Sequence, residues 1–163
     1  EKMPAGSLMA ISDHINWSGY NPLIGKNQDE YGPRFHDMSD GYHKFYRDQL
    51  LGIANKTNQQ IFEGIYCMYS GPNFETPAEI NALKVIGGNA VGMSTVPEVL
   101  VANHCNLPVI AISVITNLAA GMNKTKLSHK ETLENASLAE NNILQLIKNF
   151  ITEVTFDDSS GNN

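Results

Sequence analysis

The chain has 163 residues, of which 42% are hydrophobic and 17% charged, and its formal net charge at pH 7 is −6. This is the length of about one domain of ~150 residues, and the composition excludes disorder as the main state. The acidic balance argues against nucleic acid or an anionic membrane as a partner, because both require an excess of Lys and Arg. The longest apolar stretch, residues 109–115, is far shorter than the ~20 residues of a membrane-spanning helix.

Cysteine usage and the start of the chain predict the compartment. Cys67 and Cys105 are too few for a disulfide framework or for a zinc site of their own. No basic segment followed by an apolar run opens the chain, so no secretory signal is predicted and a reducing, cytoplasmic location is expected. The chain begins Glu-Lys-Met, which is a first indication that it belongs to a longer protein.

The first predicted elements are a strand, a long polar segment and a helix. The strand lies within residues 6–16, where an apolar run is followed by polar residues. Residues 17–40 are rich in Gly, Pro, Asn and Tyr, and an ordered loop of this length in a compact domain is usually functional. Residues 41–58 have apolar residues at helical spacing and predict a helix.

The rest of the chain repeats one pattern, a strand followed by a helix. The predicted strands are 61–69, 89–93 and 107–116, and the helices are 77–86, 96–105 and one that begins after Ser128. The sequence Thr76-Pro77-Ala78-Glu79 has the capping-box pattern of a helix start. The strand 107–116 is almost continuously apolar, which predicts burial on both faces. The alternation predicts one α/β domain with a parallel or mixed sheet.

Unusual residues follow the carboxyl ends of these strands, where open α/β sheets bind ligands. Phe74 and Glu75 follow the first, and an aromatic ring beside a carboxylate suits a heteroaromatic base that stacks on the ring and donates an N–H to the acid. Asn117 follows the third and could bind a second edge of that base. Ser94 follows the second and precedes a helix N-terminus, which favours an anion such as phosphate.

Each of these residues also has a simpler structural interpretation. Phe74 can be a core residue, and Glu75 can be a solvated loop charge. Ser94 can be a helix cap, Asn117 a turn former and His129 an exposed residue of a first helical turn. The residues indicate a site through their clustering rather than one by one.

Six strings of residues agree in order and spacing with those of a known family, between about residues 6 and 151. They are DHIN (13–16), PRFHDMSD (33–40), GPNFET (71–76), VGMSTVPE (91–98), ITN (115–117) and LSH (127–129). Through these strings the chain resembles the trimeric class of purine nucleoside phosphorylases. The resemblance implies a phosphorylase/hydrolase-like α/β fold, with a mixed central sheet flanked by helices.

The resemblance also implies which residues bind the purine base. Glu75 would bind the N1–H edge of a 6-oxopurine, and Phe74 would pack on the base. Asn117 would hydrogen-bond the N7/O6 edge, donating at N7. Glu75, Asn117 and His129 are the catalytic residues that the resemblance implies.

Sugar and phosphate contacts follow from the same resemblance. Tyr66 and Met93 would line the ribose, and His129 would reach its 5′-hydroxyl. Ser94 would contact phosphate. Phe35 resembles the residue that such enzymes contribute to the sugar pocket of a neighbouring subunit.

The activity that the resemblance implies is a pentosyltransferase reaction in purine salvage. Inosine, guanosine and their deoxy forms would be split reversibly by phosphate into free base and (deoxy)ribose 1-phosphate, in a homotrimer. Phosphate is a co-substrate, and no cofactor or metal is implied. Related methylthioadenosine phosphorylases usually have Asp where Asn117 stands, so Asn favours inosine and guanosine over adenosine compounds. Xanthosine-accepting relatives share much of the pattern and remain an alternative.

The length of the chain departs from the family. Members are substantially longer, so we expect residues 1–152 to be the C-terminal part of a single phosphorylase domain and residues 153–163 to be a disordered tail. The N-terminal part with the Gly-rich phosphate loop would be absent, and a sheet without those strands would expose an unpaired edge. A chain truncated in this way is expected to show little or no phosphorolysis.

Two other functions remain open on the sequence alone. A truncated chain could be a non-catalytic nucleoside-binding module that keeps the base and sugar sites. A nucleoside hydrolase-like activity would use water as the nucleophile, and that chemistry commonly relies on an Asp cluster that binds calcium. The sequence shows no dense Asp motif of that kind.

Overall fold

A computed structural model of the chain describes residues 3–122 and 128–156, which form four strands and four helices. Strand and helix alternate after β1, as the sequence predicts. In chain order the elements are β1 (Leu8–Asn16), α1 (Lys44–Lys56), β2 (Ile61–Met68), α2 (Pro77–Val85), β3 (Ala90–Gly92), α3 (Val96–His104), β4 (Ile112–Val114) and α4 (His129–Glu153).

The strands form one mixed sheet in the order β3-β2-β1-β4. β1 pairs with β2 in parallel, and β2 pairs with β3 in parallel. β4 runs antiparallel to β1, with Val114 opposite Leu8. The predicted α/β fold with a mixed central sheet is therefore confirmed. Because β4 is reversed, however, its carboxyl end pairs beside the amino end of β1, whereas the sequence predicts it at the same sheet edge as the carboxyl ends of β2 and β3.

The prediction for β4 was wrong in extent and in burial. Residues 107–116 were expected to form one strand buried on both faces, whereas only Ile112–Val114 is a strand and its residues are half-buried. The backbone of this segment still follows β1, since Ile11 N donates to Ala111 O over 2.9 Å and Gly6 N donates to Ile115 O over 2.7 Å. Among the residues that the structure describes, β4 is an outer strand that pairs on one side, so its apolar residues gain no cover from a second strand.

The sheet is covered by helices through a core built from β1. Leu8 and Ala10 pack with Leu50 of α1 and with Leu146 of α4, and all four side chains are buried. A second cluster on Met9 and Ile11 includes residues of β2 and α3. Successive side chains of β1 thus point to opposite faces of the sheet, and helices cover both of them.

The carboxyl end of α4 is tied to α1 by side-chain hydrogen bonds. The amide of Gln49 donates to Thr155 O over 3.0 Å and accepts from Thr155 N over 2.9 Å. The predicted tail 153–163 therefore begins with residues that the structure places, since α4 runs to Glu153. Residues 157–163 lie outside the described part of the chain.

Two observations bear on the environment of the protein. Cys67 and Cys105 form no disulfide, and Cys67 is buried. Within residues 3–122 and 128–156, no helix combines the length and the apolar character needed to cross a membrane.

The start of α2 gives a first test of the fold. Thr76 Oγ1 accepts from Glu79 N over 3.2 Å, and Thr76 N donates to Glu79 Oε2 over 2.7 Å, so the predicted capping box is confirmed. We expect Thr76→Ala to lower the free energy of unfolding by about 1 kcal/mol, because an N-terminal amide of the helix loses its acceptor. Thr76→Ser keeps the hydroxyl and should retain most of the stability. Urea denaturation measures both variants, and equal losses in the two would contradict the capping role.

Candidate functional site

Both outer strands of the sheet contribute to one cavity. β3 and β4 are separated by β2 and β1 in the sheet order, which in a flat sheet would place them roughly 14 Å apart. Residues of both strands nevertheless line the same cavity, as do residues that follow β2. The sheet is therefore curled, and this curvature brings the end of β4 towards the ends of β2 and β3.

The cavity has a volume of about 490 Å³, which lies within the range of about 300–1,000 Å³ typical of small-molecule sites. It is lined by Met3, by Pro72, Phe74 and Glu75, by residues 89–93 and 113–119, and by Met122 and Thr132. Four residues that the sequence assigned to base or sugar lie together in these walls: Phe74, Glu75, Met93 and Asn117. The lining combines apolar surface with one carboxylate, two amides and three hydroxyls, those of Ser113, Thr116 and Thr132. This composition is suited to a planar heterocycle with polar edges.

Glu75 is the carboxylate of the cavity and is only 7% exposed. Burial raises the pKa of Glu75 above its ordinary value of 4.5, and the charge of Glu79 raises it further, while the backbone N–H of Glu75 itself opposes both. A buried carboxylate in this environment favours a ligand that donates a hydrogen bond to it. The alternative that Glu75 is a solvated loop charge does not fit its burial.

The capping network of α2 holds Glu79 away from the cavity. Both oxygens of Glu79 are engaged, because Tyr69 Oη donates to Oε1 over 2.8 Å and Thr76 N donates to Oε2. The hydrogen bond from Thr76 N, followed by that from Tyr69, lowers the pKa of Glu79. Glu79 therefore stays charged beside Glu75, and it is Glu75 that faces the cavity.

Asn117 is held by two threonines. Its Nδ2 donates to Thr116 Oγ1 over 3.1 Å and to Thr132 Oγ1 over 3.2 Å. Thr132 lies in the first turn of α4 and was not singled out from the sequence. It is three residues after His129, and a spacing of three places two residues on the same side of a helix, so the helical pattern contained a signal that could have found it.

The residues assigned to ribose and phosphate meet at the end of β3. Tyr66 is buried in β2, and its hydroxyl lies 3.4 Å from both Ser94 Oγ and Ser94 N. Gly92 permits this approach, since a Cβ at that position would lie 2.1 Å from Tyr66 Oη. Ser94 is exposed and directly follows Met93 of the cavity wall, so its hydroxyl lies at the border of the site.

Beside Tyr66 and Ser94, which adjoin the cavity without lining it, two predicted site residues remain, Phe35 and His129. Phe35 is 90% exposed in the polar segment between β1 and α1, and the cavity lining does not include it. His129 is the first residue of α4, and its side chain lies outside the described part of the structure. Among the residues that are described, no group of three or more His, Cys, Asp and Glu side chains is arranged to hold a metal ion.

Comparison with known proteins places the chain among phosphorylases. Residues 1–152 match the family described as "Phosphorylase superfamily". Purine nucleoside phosphorylase 1 of Geobacillus stearothermophilus is 47% identical over 148 residues, which cover 91% of this chain and 54% of that relative. The purine nucleoside phosphorylase of Bos taurus is 40% identical over 163 residues, covering 96% of this chain and 56% of the bovine protein.

Solved structures agree with the sequence comparison. The crystal structure of Schistosoma mansoni purine nucleoside phosphorylase in complex with inosine superposes with a TM-score of 0.91 at 31% identity, covering 96% of this chain and 58% of that one. Isoform 2 from the same organism, in complex with cytosine and ribose-1-phosphate, gives a TM-score of 0.91 at 37% identity and covers 96% and 57%. The chain thus spans a little over half the length of these relatives.

Proposed function

The chain belongs to the phosphorylase superfamily, and we propose that its protein is a purine nucleoside phosphorylase that acts on 6-oxopurine nucleosides such as inosine and guanosine. The observation that carries the proposal is the cavity in which a buried carboxylate, Glu75, and an amide, Asn117, lie with the aromatic ring of Phe74. These groups complement the edges and the face of a purine. The named phosphorylases that are similar over most of this chain support the same activity.

Glu75 would recognise the base by accepting the N1–H of a 6-oxopurine. Adenine has no hydrogen on N1, so a carboxylate at this position selects the oxo form. A hydrogen bond to an ionised group in a buried site is roughly twice as strong as one between neutral groups. Phe74 is 40% exposed towards the cavity and offers an aromatic surface for the base.

Phosphorolysis would separate charge across the glycosidic bond. The C1′–N9 bond breaks with its electron pair moving to the purine, which takes up a proton from solvent at N7, and a phosphate oxygen forms the new bond to C1′. Hydrogen bonds from the base edges to Glu75 and Asn117 would stabilise the leaving purine more in the transition state than in the ground state. Binding of phosphate near C1′ would raise the rate of its attack on that atom, because the two reactants are already close together.

Sugar and phosphate would bind beside the base, at the end of β3. Met93 lies in the cavity wall, and Tyr66 and Ser94 contact each other next to it. We assign Met93 and Tyr66 to the ribose, Ser94 to phosphate and His129 to the 5′-hydroxyl. Phosphate is a co-substrate in this scheme, which requires no cofactor.

We further propose that the protein is a cytoplasmic homotrimer that acts in purine salvage. Phe35, an aromatic side chain almost fully exposed, is suited to insertion into the sugar pocket of a neighbouring subunit. Cys67 and Cys105 form no disulfide, which fits a reducing compartment.

The proposed activity is tested by release of free base from inosine, with and without phosphate. We expect the protein to release hypoxanthine only when phosphate is present, with one ribose 1-phosphate formed for each base. Equal release without phosphate would contradict the proposal and indicate hydrolysis.

A nucleoside-binding protein without turnover is the second candidate. It is favoured by the position of Ser94, the residue assigned to phosphate, which adjoins the cavity but does not line it. Binding of inosine together with no base release in either condition would support this second function.

The raised pKa of Glu75 predicts how base binding depends on pH. Only the ionised carboxylate accepts the N1–H of hypoxanthine, so protonation of Glu75 competes with binding. Burial raises the pKa of Glu75 above 4.5. As the pH is lowered from 7, the affinity for hypoxanthine should therefore begin to fall at a pH above 4.5. Calorimetric titrations of hypoxanthine over this range measure the effect. In Glu75→Gln the remaining affinity should be nearly independent of pH, and an equal decrease in that variant would assign the titration to another group.

A further inference from the structure

The side chain of Asn117 is the end of a short chain of hydrogen bonds that starts at the backbone carbonyl of Ser128, the residue before α4. Thr132 Oγ1 donates to Ser128 O over 3.1 Å, and it accepts from Asn117 Nδ2 over 3.2 Å. The second hydrogen of Nδ2 is directed to Thr116 Oγ1, 3.1 Å away. Thr132 also lines the cavity, so this chain of hydrogen bonds runs along its wall.

The two threonines share the Nδ2 group of Asn117. Both Nδ2 hydrogens are used, one by Thr116 Oγ1 and one by Thr132 Oγ1. A hydroxyl that accepts from Nδ2 keeps its own hydrogen for another acceptor, which for Thr132 is the carbonyl of Ser128. With Nδ2 on the threonines, Oδ1 is the atom left to accept a hydrogen bond from a base.

A purely local role explains only part of this arrangement. Threonine hydroxyls in helices often donate to the carbonyl four residues earlier, and Thr152 of α4 does so with Lys148 O over 2.8 Å. Thr132 makes the same local bond but in addition contacts Asn117, fifteen residues away in sequence. The second contact joins α4 to the segment that follows β4.

We propose that Thr132 is a positioning residue that holds the Asn117 amide with Oδ1 available to a hydrogen-bond donor on the base, which rests on the proposed purine site. The donor on a leaving purine is its N7–H. Asn117 would thus accept at N7, which differs from the donation at N7 expected from the sequence. This orientation favours a base with an N–H at position 7 over a base with a C–H there.

Two base analogues measure this orientation directly. 9-Deazahypoxanthine carries a permanent N7–H, whereas 7-deazahypoxanthine carries a C–H at position 7, and both keep the N1–H that Glu75 would accept. The ratio of their dissociation constants, determined by calorimetry on the full chain, reports the hydrogen bond at position 7. A general weakening of the site changes both constants and leaves the ratio unaltered.

The variants are Thr132→Val, which removes the hydroxyl and keeps the shape, and Thr132→Ser, which retains the hydroxyl. We expect the unaltered protein to prefer 9-deazahypoxanthine by roughly threefold to tenfold, the value of one net hydrogen bond. Thr132→Val should lose most of this preference, and Thr132→Ser should restore it. Thr152→Val is the matched control, because it removes the same local bond from the same helix without a contact to Asn117.

The outcomes separate this inference from the proposed function. If the unaltered protein binds neither analogue, the purine site itself is wrong. If it binds and discriminates, but Thr132→Val discriminates equally well, the positioning role of Thr132 is overturned while the purine site stands. A loss of discrimination in Thr152→Val as large as that in Thr132→Val would also overturn it.

Discussion

Glu75→Gln should lower the affinity for hypoxanthine by roughly tenfold to hundredfold. The substitution keeps the size of the side chain but replaces an ionised acceptor with a neutral amide, and hydrogen bonds to charged groups contribute about 1.5–3 kcal/mol. The effect is large because Glu75 is buried, so little water is available to replace the lost contact. Calorimetric titration with hypoxanthine measures the change in the dissociation constant.

Glu79→Gln is the matched control for this variant. Glu79 is four residues further along the chain, and its charge acts on Glu75, but its oxygens are used by Tyr69 and Thr76. Gln is also accepted at this position of a capping box, so the helix start should be retained. We expect hypoxanthine to bind this variant with nearly the affinity of the unaltered protein. Similar losses of affinity in both variants would show that hypoxanthine binding depends on the negative charge of this region and not on the position of Glu75.

Leu146→Ala should lower the free energy of unfolding by about 2–5 kcal/mol, the range for deleting a buried leucine side chain. Leu146 is 0% exposed and packs α4 against β1 and α1. The loss combines the transfer of apolar surface with the cavity that remains, since the side chains around it are held by the sheet. Urea denaturation of the full chain measures the effect.

Leu144→Ala provides the comparison on the same helix. Leu144 is 47% exposed, so its truncation should change the free energy of unfolding by only about 0.5 kcal/mol. Because α4 also carries Thr132, a destabilised helix is expected to weaken binding of both deaza-bases together. A Leu146→Ala variant as stable as the parent would mean that α4 does not pack on the sheet as described.

The sequence predicted those element boundaries that depend on contacts between residues close together in the chain. The capping box at Thr76 and Glu79 fixed the start of α2, because these two side chains satisfy backbone N–H groups within four residues. Glycines at 87 and 88 marked its end for a similar local reason. Cavity residues Phe74 and Glu75 were found since the string around them is distinctive.

The extent and direction of β4 could not be predicted in the same way. An apolar run can indicate a strand with two neighbours or a segment that lines a cavity, and the periodicity of residues 107–116 does not separate the two. Pairing with β1 in the antiparallel sense depends on contacts between residues about 100 positions apart. The curvature that brings β3 and β4 to one cavity is likewise a property of the whole sheet.

Thr132 shows where the prediction of the site was incomplete. Thr132 lies in the first turn of α4, three residues after His129, but outside the six strings of residues that carry the family resemblance. Its importance depends on the contact with Asn117, which only the tertiary structure establishes. The helical spacing from His129 was visible in the sequence, but spacing alone does not show what the side of a helix faces.

The most direct test of the central claim is a crystal structure of the chain with hypoxanthine bound. We predict that the base occupies the cavity between β3 and β4, with N1 within hydrogen-bond distance of a Glu75 oxygen and N7 within that distance of Asn117 Oδ1. Phe74 should contact the plane of the base. A base bound elsewhere, or bound in this cavity with neither Glu75 nor Asn117 in contact, would contradict the account.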